Sequence, residues 1–193
     1  GSPLCHRYIT TDFSEAQLEL ITSPLIDKKT GLNFLENIHH FVAHKIEDEI
    51  IWPFSMPPFT QSDTEIPIAS YGSSNLGLFK TTYRRGLSHR YGRAMQAISG
   101  IHFNYSLPEQ IWKSSLFKKE KVDSKELRAN IYFRTLRNWH RMNWMVLYLF
   151  GASPIVSKNF LDNKQIGFQK LDSHSYYLHY VTSLRMSDLG SDS

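Results

Sequence analysis

Asp12, Glu19 and His102 are the residues of this 193-residue chain whose types and placing could do chemistry together. They fall in two runs, residues 8–19 and 98–105, that alternate apolar and polar side chains with the period of a strand. In the second run Ile101, Phe103 and Tyr105 share one face, and His102 and Asn104 take the other. In the first, Glu19 points away from Leu18 and Leu20, and Asp12 lies opposite Phe13. Two carboxylates and an imidazole on the open face of a sheet are donors for a divalent cation. A single carboxylate or imidazole on a strand is more often solvated or hydrogen-bonded than ligating, so the pattern by itself leaves both readings open.

The elements that must position these residues can be followed along the chain. Ser23-Pro24 marks a break after the first run. From Gly31, the spacing of Leu32, Leu35, Ile38, Val42 and Ile46 predicts a helix that Pro53 ends. Four prolines between residues 53 and 67 predict an extended loop. Residues 76–95 read as a second helix, with Phe79, Tyr83, Leu87 and Tyr91 at spacings of four. The His102 strand follows, closed by Pro108. A long helix is expected from Ser124, as N-cap, to Phe150, with Gly151 as its stop, and a last strand over residues 176–182. Strands interspersed with helices, without regular βαβ repeats, indicate an α+β fold.

Composition narrows the function classes. At 41% apolar and 13% aromatic residues the chain can bury a core, and 193 residues suit one domain. No apolar run is long enough to span a bilayer. Cys5 is the one cysteine, which excludes an internal disulfide and fits a reducing, cytoplasmic setting. A net charge of +4 suits anionic substrates without requiring them.

Several stretches then resemble one family. They are Ile9-Thr10-Thr11-Asp12-Phe13-Ser14-Glu15-Ala16, Trp52-Pro53, Tyr71-Gly72-Ser73-Ser74-Asn75 and Phe79-Lys80-Thr81-Thr82-Tyr83-Arg84-Arg85-Gly86-Leu87. To these belong the His102 strand, Tyr148-Leu149-Phe150-Gly151-Ala152-Ser153-Pro154 and Thr182-Ser183-Leu184-Arg185-Met186-Ser187-Asp188-Leu189-Gly190. Together, nearly end to end, they resemble the bacterial glutamate–cysteine ligases. The resemblance implies an antiparallel sheet with packed helices, related to glutamine synthetase, present here as one partial catalytic domain over residues 1–193. It implies an ATP-dependent ligase of glutathione biosynthesis with glutamate, cysteine and ATP as substrates. Mg²⁺, or alternatively Mn²⁺, would be bound at Asp12, Glu19 and His102. By the same resemblance Tyr83 and Leu87 help form the cysteine pocket, and Arg185 holds an anionic substrate group. For Tyr83 and Leu87 periodicity gives a competing reading, core packing. Glu15 is expected to be a solvated surface residue. The family's chains are longer, with a Glu-x-Glu metal-binding segment before the matched region and much of the nucleotide site after it. Its pocket also uses a tyrosine near the position of Ser191.

Three other readings compete. A non-catalytic remnant of the ligase would keep the fold and part of the metal site, binding Mg²⁺ weakly with little turnover. The basic stretch from Lys80 to Arg93, interleaved with Tyr83 and Tyr91, has the make-up of a nucleic-acid surface; the mild net charge argues against it, and neither a nucleic-acid partner nor a membrane is expected. His40 and His44 have the spacing of a zinc-binding helix, but Phe41 stands where the hydrolytic glutamate would be.

Overall fold

The alternation near the N-terminus folds as a hairpin. Strands β1 (Ile9–Thr11) and β2 (Leu18–Leu20) pair antiparallel, with Ile9 opposite Leu20, Thr10 opposite Glu19 and Thr11 opposite Leu18. The turn closes through Asp12 N–H donating to the Gln17 carbonyl at 2.9 Å and Gln17 N–H to Ser14 at 3.0 Å. The computed structural model describes residues 3–57, 63–112, 125–151, 153–161 and 167–184.

Helix α1 (Lys28–Ala43) begins three residues ahead of Gly31, because Asp27 caps it: its carboxylate accepts from the Thr30 N–H and hydroxyl, both at 2.7 Å. It ends ten residues short of Pro53. Glu47 takes a left-handed φ of 52°, which no helix tolerates, so Ile46 falls in the turn beyond. Helix α2 (Asn75–Tyr91) starts at the Ser74 cap and stops at Gly92, whose φ of 84° forces a break. The chain resumes as α3 (Arg93–Gln96), where the Asp63 carboxylate accepts from Ala94 N–H at 2.6 Å. A second sheet orders β3 (Ile155–Ser157), β5 (Ser175–Leu178) and β4 (Phe168–Lys170), all antiparallel with β5 central. The fold is α+β, as the interspersed elements predict.

The chain divides into two compact units, residues 1–99 with 153–193, and residues 100–152. The first has two apolar centres. Phe13, Ile66, Ala94 and Ala97 form one, under Ile68, Leu87 and Phe160. Val156, Leu161 and Leu184 form the other beneath the second sheet. The second unit holds α4 (Glu109–Trp112) and the long α5 (Lys125–Phe150). Residues 98–105 are not a strand: among the described residues no ladder partner lies beside them, and alternation without a partner yields extended chain. The expected cap at Ser124 lies outside the described residues. Among the described residues no helix is long and apolar enough to cross a membrane.

Two tests follow from this framework. Gly77 is buried at the start of α2, where a Cβ would overlap the Tyr71 carbonyl oxygen and reach within 2.8 Å of the Gly72 carbonyl. Gly77→Ala is expected to cost about 2 kcal/mol or more in urea denaturation, since two rigid backbone groups have to move. Asp27 is held below the usual carboxylate range, chiefly by the Thr30 backbone N–H. A depressed folded value stabilises α1 above the unfolded value and loses that contribution as pH falls through the folded one. The protection factors of α1 amides, taken against the intrinsic exchange rate at each pH, should therefore fall below about pH 4, and Asp27→Ala should remove that dependence.

Candidate functional site

The hairpin register decides how the two carboxylates stand. Thr10 faces Glu19 across the ladder, and Asp12, two residues on from Thr10, continues the pairing through Gln17. Alternation therefore sets Asp12 and Glu19 on the same face as diagonal cross-strand neighbours, a spacing of roughly 7–8 Å between backbones. Both side chains are half-buried. Two carboxylates at that separation can supply oxygens to one hard cation.

What fixes Asp12 is Tyr71. This ring is 1% exposed, and its hydroxyl donates to the Thr11 carbonyl at 2.5 Å and the Asp12 carbonyl at 3.0 Å. Arg84, from α2, donates through Nε to the same Asp12 carbonyl. The Arg84 guanidinium lies 4.5 Å from the Tyr71 ring centre and the Lys80 ammonium 5.3 Å, both within cation–π range. The extended segment before Tyr71 is tied to the turn as well: Ala69 N–H donates to Phe13, Glu15 N–H to Pro67, and Ser14 bridges Ile68. Gln17 reaches the other way, donating to the Ser99 hydroxyl at 3.0 Å and the Ala97 carbonyl at 3.4 Å.

The Asp12 backbone is thus clamped, while its carboxylate has no hydrogen-bond or ion-pair partner among the described residues. Partly burying an unpaired charge is unfavourable, and a bound cation would relieve it. Glu15 differs from its expected solvated role: it is exposed, yet its carboxylate accepts from Ser70 N–H at 2.7 Å and so braces the loop.

Tyr83 and Leu87 occupy one face of α2, a turn apart, but in different surroundings. Leu87 packs on the Phe13 centre. Tyr83 is 58% exposed, so its ring is open to a ligand. Of the basic residues on and after this helix, Arg84 and Arg93 are engaged with backbone; Arg93 donates to the Thr64 and Ile66 carbonyls at 3.2 and 2.9 Å. Arg85 and Arg90 stay exposed on α2. His102 lies exposed in the second unit, and Arg185 lies outside the described residues. Among the described residues, no three His, Cys, Asp or Glu side chains are grouped to hold a metal ion, at His40 and His44 or elsewhere. His40 pairs instead with Glu36, 3.8 Å away.

Sequence reasoning missed Tyr71, Asp63 and Gln17. The signal for Tyr71 was available: an aromatic residue just before a Gly-Ser-Ser helix start, with Lys80 and Arg84 on the helix that follows.

Paired substitutions of opposite sign test the clamp. Tyr71→Phe keeps the ring but removes the hydroxyl proton shared by the Thr11 and Asp12 carbonyls, of which Asp12 keeps Arg84 as donor, and is expected to cost about 1–3 kcal/mol. Thr11 has a buried hydroxyl without a hydrogen-bond partner among the described residues. Thr11→Val keeps its branched shape and should gain about 1 kcal/mol. Urea denaturation of both variants reads the signs; a loss in Thr11→Val would mean that the hydroxyl has a use.

The model of the glutamate–cysteine ligase family matches residues 1–193. A crystal structure of a glutamate–cysteine ligase from Francisella tularensis, in complex with AMP, is similar with 42% identity and a TM-score of 0.85. The similarity covers 100% of this chain and 38% of that one.

Proposed function

The chain belongs to the glutamate–cysteine ligase family, and on that premise we propose that it carries part of the active site of an ATP-dependent enzyme joining the γ-carboxylate of glutamate to the amine of cysteine. The likeness over all 193 residues to a ligase solved with AMP supports this reading. The chain spans 38% of that protein's length, so whole-enzyme activity is part of the proposal. A cytoplasmic setting fits a glutathione-forming ligase with one cysteine.

The chemistry explains why these residue types are needed. A carboxylate resists attack by an amine, because the attack adds negative charge to an anion. In the proposed reaction a γ-carboxylate oxygen attacks the terminal phosphorus of ATP, and the bond to the ADP oxygen breaks. The cysteine amine then attacks the acyl carbon of the γ-glutamyl phosphate. Phosphate leaves with the bonding pair, and the amine loses its proton. Mg²⁺ or Mn²⁺, when bound, neutralises the charge that accumulates between triphosphate and carboxylate.

Asp12 and Glu19 fit a hard cation by donor type, by their shared face and by the unpaired Asp12 carboxylate. His102 is assigned as a further ligand by resemblance. The Tyr71–Arg84 clamp would keep Asp12 in place without taking up its carboxylate. Tyr83, with its open ring, would wall the cysteine side chain one turn from Leu87, and Leu87 would hold that wall against the core. Arg185 would take an anionic substrate group, a task its planar fork of donors suits.

The test uses a full-length family member carrying single substitutions at the matching positions, with ADP release measured in the presence of glutamate and cysteine. Glu19→Gln and His102→Ala are expected to lower the rate about a hundredfold. Glu15→Gln, which touches only the Ser70 brace, should leave the rate near the parent's. Equal losses from all three would sink the metal assignment.

A further inference from the structure

Gln17 stands among the proposed cation ligands without a part in their chemistry. Its carbonyl accepts from Asp12 N–H, which continues the register that sets Thr11 opposite Leu18. Asp12 and Gln17 are therefore direct cross-strand neighbours, and their side chains share a face. Glu19, two residues on, projects from that face as well. The half-buried Gln17 side chain uses its whole amide to hold chain. Nε2 donates to the Ser99 hydroxyl at 3.0 Å and to the Ala97 carbonyl at 3.4 Å, and Oε1 accepts from Ser14 N–H at 3.3 Å. An acceptor facing one end and a donor facing the other leave the amide a single orientation.

The segment that Gln17 holds is the one that leads to His102. Ala97 packs with Phe13, Ile98 is buried, and Ser99 N–H donates to the Ser55 carbonyl at 2.8 Å. Beyond Ser99 the hold stops: Gly100 is exposed, and Ile101 is 96% exposed. His102 follows Ser99 by three residues, and that much backbone spans at most about 11 Å, wherever the second unit lies. A tether so short makes its origin decisive. Started from the face that carries Asp12 and Glu19, it can bring an imidazole to the cation they would hold. An origin loosened by a few ångströms uses up that reach. Burial of Ala97 and Ile98 keeps the segment packed without Gln17; what the amide adds is the direction of its last residue.

We propose that Gln17 is a positioning residue of the cation site, acting through Ser99 on His102 and touching neither metal nor substrate. This rests on the metal assignment above, and the test separates the failure of one from the failure of the other.

The experiment uses a chimera in which this chain replaces the matched segment of the full-length Francisella tularensis ligase. Mn²⁺ is titrated in, and the free ion is read by electron paramagnetic resonance, so that binding is measured apart from turnover. Gln17→Met keeps the side chain's length and removes its three hydrogen bonds. It is expected to weaken Mn²⁺ binding about tenfold, the size of effect known for residues that orient a metal ligand. Ser99→Ala removes only the 3.0 Å partner and should weaken binding in the same direction by less; it carries the test if Gln17→Met loses the parent's circular dichroism. In a His102→Ala background, Gln17→Met should cost less than about twofold further, because nothing is left for it to position. Glu15→Gln, which disturbs the Ser70 brace of the same turn, should bind Mn²⁺ like the parent. Parent-like affinity in both Gln17→Met and Ser99→Ala would overturn the proposal. So would a tenfold loss that persists without His102, the mark of a residue that only supports the hairpin. Parent-like affinity in His102→Ala would instead remove the metal assignment, and this proposal with it.

Discussion

A single hydroxyl joins the parts of the first unit that matter for chemistry. Tyr71 sits where the strand-like segment after Ile66 hands over to α2, and its O–H reaches the last carbonyl of β1 and the one after it. The hairpin that presents Asp12 and Glu19 is only three residues long on each side. A two-stranded ribbon that short has no independent stability in water. Its persistence depends on being tied to something larger, and the Tyr71 and Arg84 donors tie it to α2. The close approach this requires explains Gly77, since the first turn of α2 runs against the Tyr71 backbone without room for a side chain.

The same clamp accounts for part of the basic character of α2. A row of lysine and arginine on one helix suggests an anion-binding surface, but Lys80 and Arg84 stack on Tyr71, and Arg93 pins the Thr64–Ile66 turn. Guanidinium groups suit these tasks because their donors diverge in a plane and reach more than one carbonyl at once, Asp12 and Lys80 for Arg84, Thr64 and Ile66 for Arg93. Part of the charge that looks available in the sequence is consumed in holding loops that have no sheet of their own, while Arg85 and Arg90 stay exposed.

Periodic features were legible in the sequence and relational ones were not. The apolar stripes of α1 and α2, and the reach of α5 to Phe150, follow from local spacing and end at residues with local causes. Where the ends moved, the cause was a left-handed residue: Glu47 gives no sign in its type, and Gly92 lies inside an otherwise unbroken pattern. Alternation at residues 98–105 was real, yet a strand is a property of a pair, and among the described residues the partner is missing. Alternation at residues 8–19 was equally real and concealed a turn, because after Asp12 has closed the ladder with Gln17 the chain at Phe13-Ser14-Glu15 pairs with Pro67-Ile68-Ala69. Asp12 and Glu19 could be picked out by type, but their shared face needed the register. Gln17 and Asp63 act across 31 to 82 residues of separation from unremarkable loops, and no local pattern marks them; Tyr71, acting across 59 and 60, is hinted at only by its place before a Gly-Ser-Ser helix start.

Asp12, as the cation ligand proposed above, shows how such a site would divide its tasks. A ligand to a cation has to be held in place before the cation arrives, yet its charge must not already be neutralised. Fixing the side chain through its own oxygens would defeat the second requirement, as a carboxylate bound to Arg84 would be a poor ligand. Fixing the backbone satisfies both. Tyr71 and Arg84 spend their donors on the carbonyls, which carry no net charge, and the Asp12 carboxylate remains unpaired among the described residues. Tyr83 and Leu87 repeat the arrangement on α2. The residue facing inward secures the helix against Phe13, and the residue one turn earlier is left open. Rigidity and reactivity are assigned to different atoms, so that a short hairpin and one helix face can present fixed yet unsatisfied groups.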